Sequence, residues 1–80
     1  MTAPLAEVTK QRIRWVPAKG RARDWGSMWR VSVYEDRAVG MRGRDVKHIT
    51  GTHSVRKGKR GDLHVFTTEG GHWEVERCGC

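Results

Sequence analysis

The chain has 80 residues, with 16 Lys and Arg against nine Asp and Glu and a formal net charge of +7. This length allows one domain with a small core, and no apolar run approaches the ~20 residues that a membrane crossing requires. Because the N-terminus has neither the basic nor the hydrophobic segment of a secretory signal, we expect a cytoplasmic protein without a membrane partner.

The positive charge is concentrated in the first three quarters of the chain. Residues 10–60 hold fifteen Lys or Arg and four acids, whereas residues 61–80 hold four acids and only Arg77. Such an asymmetry indicates a polyanionic partner. The alternative is a surface rich in Arg that only keeps the protein in solution.

The chain is predicted to contain one β domain, residues 12–77, between an N-terminal segment, residues 1–11, and a C-terminal tail, residues 78–80. The N-terminal segment is predicted as an arm or a short helix. The helix is favoured by Leu5 and Val8, which are three residues apart.

The tail contains the two cysteines of the chain, Cys78 and Cys80, one residue apart. A bridge between them would close a tight ring, and a secreted scaffold of this size would spread its cysteines through the chain. We therefore expect reduced thiols and a reducing compartment.

Alternating apolar and polar residues predict strands over residues 12–16, 28–35, 62–68 and 72–77. Shorter strands are predicted over residues 38–41 and 44–50, with a turn at 51–54 and a flexible basic loop at 56–61. The last two strands form a hairpin, because the adjacent glycines Gly70 and Gly71 supply the positive φ of a tight turn.

This alternation assigns nine residues to the core: Ile13, Trp15, Trp29, Val31, Val33, Leu63, Val65, Trp73 and Val75. Five or six short antiparallel strands, with no strong helix, predict a mostly β fold. The expected architecture is a small single-domain sandwich or a partly open barrel.

The same strand phases place two rings on outward faces. Tyr34 shares its face with Arg30, and Phe66 shares its face with His64. Exposed rings among arginines are suited to stack on unpaired bases while the guanidinium groups contact phosphates. The alternative is a second small core that covers both rings.

Two basic loops are the other candidate contacts to a nucleic acid. The first contains Arg56, Lys57, Lys59 and Arg60, and the second contains Lys19, Arg21 and Arg23 beside Trp25. If both loops lie at one end of the barrel, they bracket a groove for a phosphate backbone. The alternatives are a solvated hairpin loop whose charge prevents edge pairing and a Trp25 ring folded back over the core.

The sequence predicts no metal or cofactor site and no small-molecule substrate. The histidines are scattered over different strand faces, and the spacing of the cysteines is shorter than zinc sites use. No catalytic motif is present. One enzymatic alternative is a metal-independent ribonuclease that uses Tyr34, Arg30 and His64 for charge stabilisation and proton transfer.

We therefore expect a non-enzymatic module that binds RNA, single-stranded DNA or DNA recognised by shape, since no predicted helix suits a major groove. The alternative is a small inhibitor or accessory factor that docks on an acidic protein surface. Arg, Trp and Tyr also dominate the energetics of protein interfaces, so the sequence leaves both functions open.

Overall fold

The computed structural model describes residues 3–79, and every regular element in this range is a β-strand. The strands are β1 (Ala6–Pro17), β2 (Arg23–Asp24), β3 (Trp29–Val33), β4 (Arg37–Arg42), β5 (Asp45–Thr50), β6 (Thr52–Gly58), β7 (Gly61–Thr68) and β8 (Gly71–Arg77). They form one antiparallel sheet in the order β5-β4-β3-β1-β8-β7-β6, and the short β2 pairs with β1. No helix in this range is long and apolar enough to cross a membrane.

The long strand β1 joins the two halves of the sheet. Its first half pairs with β3, and its second half, from Gln11 to Pro17, pairs with β8. The register shifts between Val8 and Gln11, where β1 bulges. A bulge bends a strand and increases its twist. The bend allows β1 to pair with β3 along its first half and with β8 along its second half.

The sheet is curled at Gly51. The two ends of the sheet, β5 and β6, are consecutive in the chain and are separated by this one residue. Gly51 has a φ of 147°, and an added Cβ would lie 2.8 Å from the carbonyl oxygen of Thr67 and 2.9 Å from the carbonyl carbon of Phe66. The corner between β5 and β6 therefore packs directly on the backbone of β7.

The inner face of the curled sheet holds the core. Its buried cluster consists of Ile13, Trp29, Val31, Val33, Ala38, Ile49, Phe66 and Val75. Burial of side chains of this size contributes roughly 1.5–3 kcal/mol each for the larger members. Of the predicted core residues, Trp15, Leu63 and Trp73 are half-buried, and Val65 is buried outside this cluster.

The structure confirms the mostly β fold. The alternation predicted for residues 28–35 and the hairpin of the last two strands are both present as β3 and as β7 with β8. The sheet has eight strands rather than five or six. One reason is that residues 52–58 form β6, where a turn at 51–54 and a flexible loop were predicted.

The prediction of an arm or a short helix over residues 1–11 is wrong where the structure describes it. Residues 6–11 belong to β1, with Ala6 opposite Val33 and Val8 opposite Val31. Pairing with β3 outweighs the local helical spacing, because packing against strand neighbours dominates strand formation. Met1 and Thr2 lie outside the described residues.

The C-terminal tail is attached to the sheet at its first residue. The amide of Cys78 donates a 2.9 Å hydrogen bond to the carbonyl oxygen of Lys10. Cys78 is disulfide-bonded, which differs from the reduced thiol that the sequence predicts. Cys80 lies outside the described residues.

Candidate functional site

A groove of about 370 Å³ opens on the outer surface where β1, β3 and β4 adjoin. Its lining consists of Thr9, Lys10, Met28, Arg30, Met41, Arg42 and Gly43. The bulged part of β1 provides Thr9 and Lys10, the start of β3 and the residue before it provide Arg30 and Met28, and the end of β4 and the residue after it provide Met41, Arg42 and Gly43. Three cations and no acid line this groove, which we call the cationic groove.

Two residues of the cationic groove have a backbone conformation that is rare for side chains. Lys10 has a φ of 55° and Met28 a φ of 67°, and they are the two non-glycine residues with positive φ between residues 3 and 79. A left-handed conformation costs a non-glycine residue roughly 1–2 kcal/mol. Strained backbone of this kind clusters at functional sites, so its position favours this groove over other surfaces.

The charge in the cationic groove is largely uncompensated. Lys10 and Arg30 form no ion pair with any carboxylate in the described part of the chain. Arg42 has one acidic neighbour, Asp45, with 3.8 Å between Nη2 and Oδ2. An anion entering the groove would therefore meet two cations that have no acidic partner among residues 3–79.

Arg42 holds the wall of the groove in place. Its Nη1 donates to the carbonyl oxygens of Trp25, at 3.4 Å, and Ser27, at 3.3 Å. Its guanidinium carbon lies 4.5 Å from the ring centroid of Trp29. These contacts fix the segment before β3 against the end of β4, and they position Met28 at the rim.

The apolar walls of the groove are two methionines. Met28 and Met41 are each 51% exposed, a large fraction for unbranched apolar side chains. Val46, paired with Met41 across β4 and β5, is 52% exposed and extends the same surface. Methionine is flexible and polarisable, so it adapts to irregular apolar or aromatic partners.

Further cations continue from the groove toward the turn between β6 and β7. Arg77 lies opposite Gln11, immediately after the bulge, and the next residue binds the Lys10 carbonyl. The side chain of Arg60 lies against the backbone of Gly79. Neither Arg60 nor Arg77 forms an ion pair with a described carboxylate, so the end of β8 and the segment that follows it carry uncompensated cations in addition to those of the groove.

The two predicted basic loops lie near opposite ends of strand β7, so they do not bracket a common groove. The loop after Pro17 adjoins Gly71 and Thr68, at the end of β7. The turn after Gly58 lies at the start of β7, about 23 Å away along an eight-residue strand. All the cations of both loops are exposed: Lys19, Arg21, Arg23, Arg56, Lys57, Lys59 and Arg60. Two cations of the predicted 56–61 loop, Arg56 and Lys57, belong to strand β6 and not to a loop.

The predicted stacking platform of Tyr34 and Phe66 is not present. Phe66 is 0% exposed and belongs to the core. The alternation in the sequence assigns Leu63 and Val65 to the inner face of β7, whereas in the structure Phe66 points to that face. Tyr34 is half-buried, with the Arg37 guanidinium carbon 4.4 Å from its ring centroid. Trp25 packs against the core, as the alternative interpretation of this ring expected.

The residues of the ribonuclease alternative are not assembled. Arg30 and Tyr34 are four residues apart along the chain, about 13 Å in extended conformation. His64 is only 6% exposed, and its ring nitrogen is hydrogen-bonded to His53. Between residues 3 and 79, no group of three His, Cys, Asp or Glu side chains is arranged to hold a metal ion.

Comparison with protein-family models, with curated proteins and with solved structures finds no match for this chain. The cationic groove must therefore be interpreted from its own chemistry. Of the residues predicted from the sequence to contact a ligand, Arg30 lines it. Lys10, Met28 and Met41 were not predicted, because no local pattern indicates a bulge in β1 or a positive φ before β3.

Proposed function

We propose that the protein binds the phosphate backbone of a single-stranded nucleic acid in the cationic groove. The observation that carries this proposal is the pair Lys10 and Arg30, two cations without a described acidic partner in a groove of about 370 Å³. Phosphate contacts of this kind release counterions and supply most non-specific affinity for nucleic acids.

A polymer fits this surface better than a single phosphate does. The cations extend past the groove through Arg77 to Arg60, along the attachment of the C-terminal tail. An isolated anion would use one or two of them, whereas successive phosphates of a strand can use all four.

A single strand fits better than a duplex. The described residues contain no helix to enter a major groove, and the half-exposed Met28 and Met41 provide an apolar surface for an unpaired base. Because Phe66 lies in the core, we expect Met28 and Met41, rather than aromatic rings, to make the apolar contacts with bases. Phosphate contacts carry no sequence information and apolar contacts with methionine do not read hydrogen-bond patterns of the bases, so we expect little sequence preference.

The direct test is fluorescence anisotropy with a labelled 12-nucleotide single strand and the matched duplex, titrated from 50 to 300 mM salt. Four phosphate contacts predict a log–log slope of about −2.8 for the single strand. The single strand should bind more tightly than the duplex. A polyglutamate competitor that displaces the strand at equal charge concentration would instead favour an acidic protein partner, and no binding at 50 mM salt would contradict the proposal.

A further inference from the structure

A second site is formed by three tryptophans near the end of β1 and the start of β8. Trp15 lies directly opposite Trp73, with 4.9 Å between ring centroids, and Trp25 lies 6.2 Å from Trp73. All three rings are half-buried, so the cluster is neither sealed in the core nor fully in solvent. We call it the tryptophan cluster.

The ammonium group of Lys47 is inserted into the tryptophan cluster. Its Nζ lies 3.8 Å from the ring centroid of Trp25 and 4.7 Å from that of Trp73. Lys47 is paired with Gly40 across β4 and β5. An added Cβ at Gly40 would lie 2.9 Å from Cδ1 of Ile13 and 3.2 Å from Cε3 of Trp29, so this glycine lets the core pack closely beside Lys47.

The rings hold this ammonium without help from a carboxylate. No described acid forms an ion pair with Lys47. A second cation, Arg23, has its guanidinium carbon 5.0 Å from the Trp25 ring centroid. Cations lie over aromatic rings because the ring faces are negative, and tryptophan provides the strongest such face.

We propose that the tryptophan cluster is a binding cage for a methylated ammonium group and that Lys47 occupies it when no ligand is bound. A primary ammonium is strongly hydrated, so hydration at the end of its flexible stem offsets much of what Lys47 loses when a ligand displaces it from the rings. A methylated ammonium keeps the charge, has fewer N–H donors to desolvate and brings methyl groups that contact the rings. This site is separate from the cationic groove and does not depend on the proposed nucleic-acid binding.

The test is a titration followed by tryptophan fluorescence, with wild-type protein, Lys47→Ala and Lys47→Arg. The probes are choline, Nα-acetyl-trimethyl-lysine amide and the uncharged isostere 3,3-dimethyl-1-butanol. Removal of the resident ammonium in Lys47→Ala should tighten choline binding about tenfold relative to wild type. Lys47→Arg keeps a cation in the cage and should bind choline as weakly as wild type does.

The uncharged probe separates a cation cage from an apolar pocket. Lys47→Ala should bind it at least several-fold more weakly than choline, and equal binding would overturn the proposal. Tighter binding of choline than of trimethyl-lysine indicates a lipid or metabolite headgroup, and the reverse indicates a modified protein side chain. If Lys47→Ala does not fold, Lys47→Gln carries the same test. A folded variant of either kind with no saturable response would show that Lys47 is only a structural contact.

Discussion

Nε2 of His53 lies 3.0 Å from Nδ1 of His64 on the paired strands β6 and β7. The rings are stacked, with centroids 5.2 Å apart and planes 16° from parallel. One ring must donate and the other accept, so a pair with all four nitrogens protonated has no acceptor for this hydrogen bond. At least one neutral ring is therefore built into the fold.

We expect the stability of the protein to fall as the pH drops below about 6.5. Burial lowers the pKa of His53, and burial and the neighbouring His53 lower the pKa of His64, against an opposing effect of Asp62. Because both pKa values are lower in the folded state, the unfolded state binds more protons in this range, and stability rises with pH. Thermal unfolding at pH 7.5 and pH 5.5 measures the difference.

The control for the histidine pair is the exposed His48 on β5. His48→Gln should keep the wild-type pH dependence, whereas His64→Leu should lose the part that His64 contributes and keep the part that comes from the burial of His53. The pKa of Asp24 is also lowered: partial burial raises it, but hydrogen bonds from the Gly26 amide and from Arg12 outweigh that effect. Its stabilising contribution is lost only near and below pH 4, outside the chosen window. An unchanged pH dependence in His64→Leu would contradict this account.

Gly51→Ala should destabilise the protein by about 2 kcal/mol or more, since the new methyl group meets backbone atoms that cannot move freely. Gly61→Ala is the matched control. Gly61 also has a positive φ, 115°, but an added Cβ would meet nothing within 4 Å. Its substitution should cost only the backbone penalty of an alanine at positive φ, about 1 kcal/mol. Equal losses in urea unfolding would mean that the β5–β6 corner does not pack tightly on β7.

The backbone strain at Met28 predicts that substitution by glycine affects stability differently at Met28 and at Met41. Met28→Gly should leave stability unchanged or raise it by up to about 1 kcal/mol, because glycine adopts a φ of 67° without penalty. Met41→Gly should lower stability by about 1 kcal/mol, as glycine does within a strand. Both side chains are 51% exposed and line the same groove, and Met28 also loses a sulfur contact with Cys78 at 4.0 Å, which makes a gain in stability there a stringent sign of backbone strain. A loss at Met28 as large as that at Met41 would contradict the strain.

The sequence predicts the fold best where each strand has one buried face. In β3, the buried Trp29, Val31 and Val33 alternate with more exposed residues, and the pattern is visible locally. In β7, three consecutive residues, His64, Val65 and Phe66, are all buried, so both faces are covered in the middle of the strand. A strand covered on both faces has no alternation to detect, which explains why Phe66 was assigned to the surface.

The candidate site was less predictable than the fold. Charge clustering indicates a polyanionic partner, and Arg30 was among the predicted contacts. The groove itself depends on a bulge that brings Lys10 beside Arg30 and on a left-handed Met28, and these arise from pairing between distant strands. The basic segments that are obvious in the sequence lie about 23 Å apart, at opposite ends of β7.

The most direct test of the central claim compares two double variants that each remove two cations. Lys10→Ala/Arg30→Ala empties the cationic groove, and Lys19→Ala/Arg21→Ala removes the same charge from the far end of the sheet. If the groove holds two phosphates, the salt slope for a single strand should shrink by about 1.4 in the first variant and remain near the wild-type value in the second. Equal losses of affinity and slope in both variants would show that the protein attracts nucleic acid only through its overall charge.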